Sequence, residues 1–122
     1  MDWKLDSGLP IWPQLTQQLK RRIVTGIYPP GSRLPSVREL AAEAGVNPNT
    51  MQRALVQLEQ EGLARADRTA GRQVTQNGEV LKAVRLREAE SVIRDYFEAM
   101  SALGWSRERA VELLLERIKE EF

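Results

Sequence analysis

A mainly α fold with one small β-hairpin, closed by a two-helix tail, is what the sequence predicts. Three observations carry it. Apolar residues recur at helical spacing in five stretches, glycines and prolines punctuate those stretches, and residues 63–75 between the third and fourth lack the helical period. The 122 residues fit one domain with an appendage. The polar hinge Gln76-Asn77-Gly78 divides them into domains 1–78 and 79–122.

The first helix is expected to begin at Pro13, since proline's fixed φ suits the first helical position. Leu15, Leu19, Ile23 and Val24 form its apolar stripe, and Gly26 offers a left-handed cap before Tyr28-Pro29-Pro30-Gly31 ends it. Ser36 with Glu39 three residues on is a capping box for the second helix, whose inner face is Val37, Leu40, Ala41 and Ala44. After the turn Gly45-Val46, Asn47 is the N-cap and Pro48 the first residue of a third helix. Met51, Ala54, Leu55 and Leu58 repeat the same spacing, and Gly62 follows the end. Two short helices joined by a glycine turn, with a third upstream, have the grammar of a helix-turn-helix. Residues 63–66 and 73–75 then read as two strands around the turn 67–72.

From Glu79 onward the pattern is helical again. Leu86, Ala89, Ile93, Tyr96, Met100 and Leu103 step by three and four, an a/d seam broadened by Val92, Phe97 and Ala99. Gly104 stops this helix, Ser106 caps the last one, and Val111, Leu114, Leu115 and Ile118 share a face. Two helices leave more apolar surface than one short hairpin hides, so a second chain is expected to cover it. The dimerisation residues are Leu86, Ala89, Ile93, Tyr96, Met100, Leu103, Leu114 and Ile118. Packing of the seam on the N-terminal domain is the alternative. Residues 79–122 are too few for a closed effector pocket, and no pattern names a small-molecule effector.

Composition narrows the chemistry. No cysteine and no histidine occur, which removes thiolate chemistry, disulfides, the two commonest zinc ligands and His-dependent triads. No catalytic residue, metal site or cofactor is expected, and the chain is read as a non-enzyme. The acidic pairs Glu88/Glu90 and Glu120/Glu121 have no third partner for acid–base work and read as solvated helix faces. Trp12 and Trp105 read as anchors of helix starts rather than ligand-stacking residues. No apolar stretch has the length of a membrane span, and Met1-Asp2-Trp3 does not open a signal peptide, so a cytoplasmic location without membrane attachment is expected.

The net charge of +1 hides an asymmetry. Residues 1–78 carry ten basic and seven acidic side chains, and residues 79–122 eight and ten. The stretch 20–53 sets Lys20, Arg21, Arg22, Arg33, Arg38 and Arg53 against Glu39 and Glu43, a surface that attracts a polyanion.

The third helix has the shape and residue types for the major groove of double-stranded DNA. Asn49, Thr50, Gln52 and Arg53 face outward near its start, and amides, hydroxyls and guanidinium groups are what direct readout of bases uses. Ser36 and Asn47 mark helix starts whose free N–H groups suit phosphates. Arg38 reaches the phosphate backbone or a groove edge, or else pairs with a neighbouring glutamate. Arg68 and Arg72 flank the hairpin turn, where Gly71 permits close backbone approach; a solvated loop charge is the other reading for both. A helical module that binds protein rather than DNA remains the rival from another functional class.

The segment Pro30-Gly31-Ser32-Arg33-Leu34-Pro35-Ser36-Val37-Arg38-Glu39-Leu40 resembles the GntR family of bacterial transcription regulators. Gly45-Val46-Asn47-Pro48-Asn49-Thr50-Met51 and Leu58-Glu59-Gln60-Glu61-Gly62-Leu63 extend the likeness, as does Leu9-Pro10-Ile11-Trp12-Pro13-Gln14-Leu15, with Trp12 in place of the usual Tyr. The resemblance implies a winged helix-turn-helix over 1–78, the hairpin being the wing, followed by a dimerisation tail over 79–122. It also implies DNA contacts at Arg38 and Thr50. Many members carry Ser/Thr-Arg where this chain has Asn47-Pro48, and Arg where it has Gln52; the wing lacks one of the usual glycines. The Asn-Pro-Asn-Thr form is similar to the YtrA-like branch. That likeness implies a homodimeric repressor on an inverted-repeat operator, controlling an ABC-transporter operon.

Overall fold

The computed structural model describes residues 2–120, so Glu121 of the second acidic pair lies outside the described residues. Its elements in chain order are α1 (Ile11–Val24), α2 (Val37–Ala44), α3 (Pro48–Gln60), β1 (Ala64–Asp67), β2 (Gly71–Val74), α4 (Gly78–Ala102) and α5 (Arg107–Glu120). The chain divides into two units, residues up to Val84 and residues from Arg85.

In the first unit each local signal has its physical counterpart. Ser36 accepts from the Glu39 amide at 3.1 Å while the Glu39 carboxylate accepts from the Ser36 amide at 3.4 Å, so both halves of the capping box form. Gly45 closes α2 in the left-handed conformation at φ 70°. Asn47 caps α3 by accepting from the Asn49 amide at 2.8 Å. Helix α1 begins at Ile11, two residues before the expected start, which puts Pro13 in the first turn rather than at its first position. Proline is tolerated there because the N–H it lacks would have no intrahelical partner.

Leu15, Leu19, Leu40, Met51, Ala54, Leu55, Leu58 and Leu63 are fully buried where these helices meet β1 and β2. Leu81 and Val84 join the same core from the start of α4. The first turns of α4 thus pack with the N-terminal unit, and the division between units falls beyond the hinge at Gly78.

The hairpin pairs antiparallel, from Ala64 opposite Val74 to Asp67 opposite Gly71. Pairing therefore runs closer to the tip than the sequence suggested. The Asp67 carboxylate makes the tight turn possible by accepting from the Thr69 amide at 2.8 Å, the Thr69 hydroxyl at 2.9 Å and the Ala70 amide at 3.2 Å. Residues 31–34 add backbone bonds on the other edge of β2, with the Gly31 amide donating to Val74 at 3.0 Å and the Leu34 amide to Arg72 at 2.8 Å. No sequence signal marked this pairing, because the two flanking prolines make the segment read as a turn.

Residues 2–10 form an ordered strap on the same unit. Gln18 brackets Lys4 by accepting from its amide at 3.1 Å and donating to its carbonyl at 2.7 Å. Gln14, one turn earlier, does the same for Asp6 at 2.7 and 2.9 Å. Trp3 lies 4.0 Å from the Arg22 guanidinium carbon and donates to Glu43 at 3.1 Å.

The second unit is a helical hairpin. Its turn places Gly104 at φ 88°, the Trp105 amide donates to Met100 at 2.9 Å, and Ser106 caps α5 by accepting from the Arg109 amide at 3.2 Å. Tyr96 donates to the Ala110 carbonyl at 2.8 Å, which holds the two helices together around the fully buried Ala110.

Candidate nucleic-acid interface

Helix α3 has one buried and one polar face. Met51, Ala54, Leu55 and Leu58 have no accessible surface, whereas Asn49, Gln52 and Arg53 are exposed and Thr50 is half-buried at the edge between them. The polar tip is therefore not covered by its own unit. Helix α1 runs beside α3: Thr16 donates to the Ala54 carbonyl at 3.4 Å, and Lys20 pairs with Glu61 at 2.7 Å. At the leading end of that row the Arg53 guanidinium carbon sits 4.5 Å from the centroid of the Trp12 ring. Trp12 is half-buried and presents its aromatic face to Arg53 of α3.

Ser36 and Asn47 use their side-chain oxygens as helix caps. Arg38 is exposed in the first turn of α2, and among the described residues no carboxylate pairs with it. Arg68, at the tip of the hairpin, is exposed in the same way. Arg72 differs. Its guanidinium is paired with Glu59 of α3, and the two side chains are 17% and 29% exposed. That pair ties the hairpin to α3. Gly71 opens β2 at φ 71°, and a Cβ there would meet the Arg33 guanidinium nitrogen at 3.2 Å, so the close approach this glycine allows is already made by Arg33.

The basic stretch seen in the sequence is narrower in space. Arg22 is 5% exposed, donates to the Tyr28 hydroxyl at 2.8 Å and pairs with Glu43 at 3.1 Å. With Lys20 paired to Glu61, the exposed cations of that stretch are Arg21, Arg33, Arg38 and Arg53. Arg33, which the sequence offers only as charge, is exposed beside the hairpin with its guanidinium against Gly71.

Residues 13–74, which span the helix-turn-helix and the hairpin, match the profile of bacterial regulatory proteins, gntR family. The chain belongs to the GntR family. Its GntR relatives include the HTH-type transcriptional repressor YtrA of Bacillus subtilis, 44% identical over 71 residues, which covers 58% of this chain and 55% of YtrA. Among solved structures, a GntR family transcriptional regulator from Listeria monocytogenes superposes with a TM-score of 0.82 at 31% identity, covering 92% of this chain and 98% of that one. The likeness therefore takes in the hairpin wing and the helices that follow it. The DNA-binding domain of AraR, solved with its operator ORE1, matches 62% of this chain and 94% of its own length, at 26% identity and a TM-score of 0.53. As a GntR-family winged helix-turn-helix protein the chain is a DNA-binding transcription regulator, not an enzyme. Among the described residues no helix is long and apolar enough to cross a membrane.

Proposed function

We propose that the chain is a repressor that binds an inverted-repeat operator in double-stranded DNA as a homodimer. The observation that carries the DNA reading is the tip of α3, where Asn49, Gln52 and Arg53 are exposed on a helix whose opposite face is fully buried. Such a tip enters a major groove without rearrangement of the core. Arg38 and Arg68 take phosphates on either side, and the N–H groups at the starts of α2 and α3 add to them. Asn47, with Asn49, Thr50, Gln52 and Arg53, makes up the base-facing end.

Support for the homodimer comes from the second unit. Leu86 is 61% exposed, Ile93 51%, Leu103 73%, Leu114 45% and Ile118 57%, a quantity of large apolar surface that favours association in water. The likeness to YtrA supports repression, and the YtrA-like sequence pattern supports an ABC-transporter operon as its target. No membrane partner enters this scheme, which operates in the cytoplasm.

Selection of bound duplexes from a random pool by the purified chain tests the reading. A palindromic motif, with half-sites about one helical turn or a multiple apart, is the expected outcome. A motif without two-fold symmetry would refute the dimeric operator. For the tail, truncation after Arg87 retains Leu81 and Val84 in the core and should yield a monomer by sedimentation. A truncated chain that dimerises as tightly as the whole refutes the tail assignment.

A further inference from the structure

We propose that Trp12 is a positioning residue for base recognition: its indole face holds the Arg53 guanidinium at the α1-side edge of the recognition helix, and Arg53 so held reads a guanine. The inference rests on the reading that α3 enters the major groove. The guanidinium carbon lies 4.5 Å from the Trp12 ring centroid, within the range of a cation–π contact, and tryptophan gives the strongest such contact. The backbone that carries Trp12 is held in place, because Thr16 bonds to the Trp12 and Ala54 carbonyls and Lys20 pairs with Glu61, which sets α1 along α3. A guanidinium stacked on a ring keeps the N–H donors of its rim available, and that fork matches the O6 and N7 acceptors of guanine. Among the described residues no carboxylate competes for it.

The chain supplies its own contrast. Arg22 also stacks on a tryptophan, but it is buried and donates to Tyr28 and Glu43, so its donors serve the fold. Arg53 is exposed and stacks without those acceptors. Its rotamer freedom is restricted before DNA arrives, which is what preorganises a side chain for one base rather than for the nearest phosphate.

Four full-length proteins test this in random-pool selection followed by affinity measurements on single-base variants of the selected duplex: wild type, Trp12→Leu, Arg53→Gln and the double variant. Arg53→Gln should lower the preference for guanine at one position of each half-site by about tenfold. Trp12→Leu should weaken the preference at that same position by about 3- to 10-fold and leave other positions unchanged. The double variant should be no worse than Arg53→Gln. Thermal melting verifies that each variant is folded, and Trp12→Phe, which keeps an aromatic face, replaces Trp12→Leu if the latter melts early. Loss of affinity by equal factors on all sequences in the Trp12 variants, or a change in salt slope alone in Arg53→Gln, would overturn the proposal. Failure of the wild type to bind any duplex would instead overturn the major-groove reading beneath it.

Discussion

Arg68 and Arg72 lie on the same small hairpin, yet they should respond to mutation in opposite ways. Arg68 is exposed and is not paired with a carboxylate among the described residues, whereas Arg72 is neutralised by Glu59 and mostly covered. A cation that neutralises one phosphate contributes about 0.9 to the slope of log affinity against log salt. Arg68→Ala should flatten that slope by about this amount, so between 50 and 200 mM salt its affinity should fall about 3.5-fold less than that of the wild type. Arg72→Ala should leave the slope nearly unchanged. It removes a largely covered charged hydrogen bond between the hairpin and α3, and the cost falls on stability at about 1 kcal/mol. For a unit of this size that lowers the melting temperature by about 4–8 °C. The assay is fluorescence anisotropy on the selected duplex at four salt concentrations, paired with thermal unfolding of each variant. If Arg72→Ala flattens the slope as much as Arg68→Ala does, the Glu59 pair opens on DNA and the two arginines do not differ in role.

Three further outcomes follow from the same geometry. Glu43→Ala removes the acceptor shared by Trp3 and the buried Arg22, and, with Glu43 39% exposed, should cost about 2 kcal/mol by urea unfolding, part of which Arg22→Met in the same background should restore. Ser36→Ala breaks the capping box of α2 and should cost about 1 kcal/mol in the same assay. At the hairpin tip, the amide and hydroxyl of Thr69 and the amide of Ala70, with Arg65 nearby, hold the Asp67 carboxyl below its usual value. A carboxyl so lowered supports the turn fully above the ordinary aspartate range and loses that support as pH falls through its own lower value. The protection of the Thr69 and Ala70 amides, that is their exchange relative to the intrinsic rate at each pH, should fall in that lower window, and Asp67→Ala should abolish the transition.

What was legible in the sequence was local. Ser36 with Glu39, Asn47 with Pro48, and Ser106 after Gly104 each fix a helix boundary through a few neighbouring backbone groups, and all three boundaries stand in the structure. The apolar stripes of α1, α2 and α3 likewise identify the core. What was not legible joins distant residues. Arg22 with Glu43, Arg72 with Glu59 and Arg53 with Trp12 meet only because elements distant in the chain pack together, and no spacing rule links them. For this reason charge counting overstated the basic surface and took Arg72 for a free cation. The start of α1 was displaced because proline fits anywhere in a first turn, and the strands because Asp67 tightens a turn that alanine-rich flanks do not specify. Leu81 and Val84 lie before the heptad-like seam, so the periodicity that marks the tail gave no reason to assign them to the other unit.

The glutamine brackets that hold the strap carry a chemical liability. Each relies on a side-chain amide that donates to a carbonyl oxygen while it accepts from the neighbouring N–H. Hydrolytic loss of ammonia from Gln14 or Gln18 would put a negative carboxylate oxygen where the donating nitrogen had been, facing the carbonyl of Asp6 or Lys4. One atom exchanged in storage would turn attraction into repulsion and release the chain's first residues from the helix beneath them.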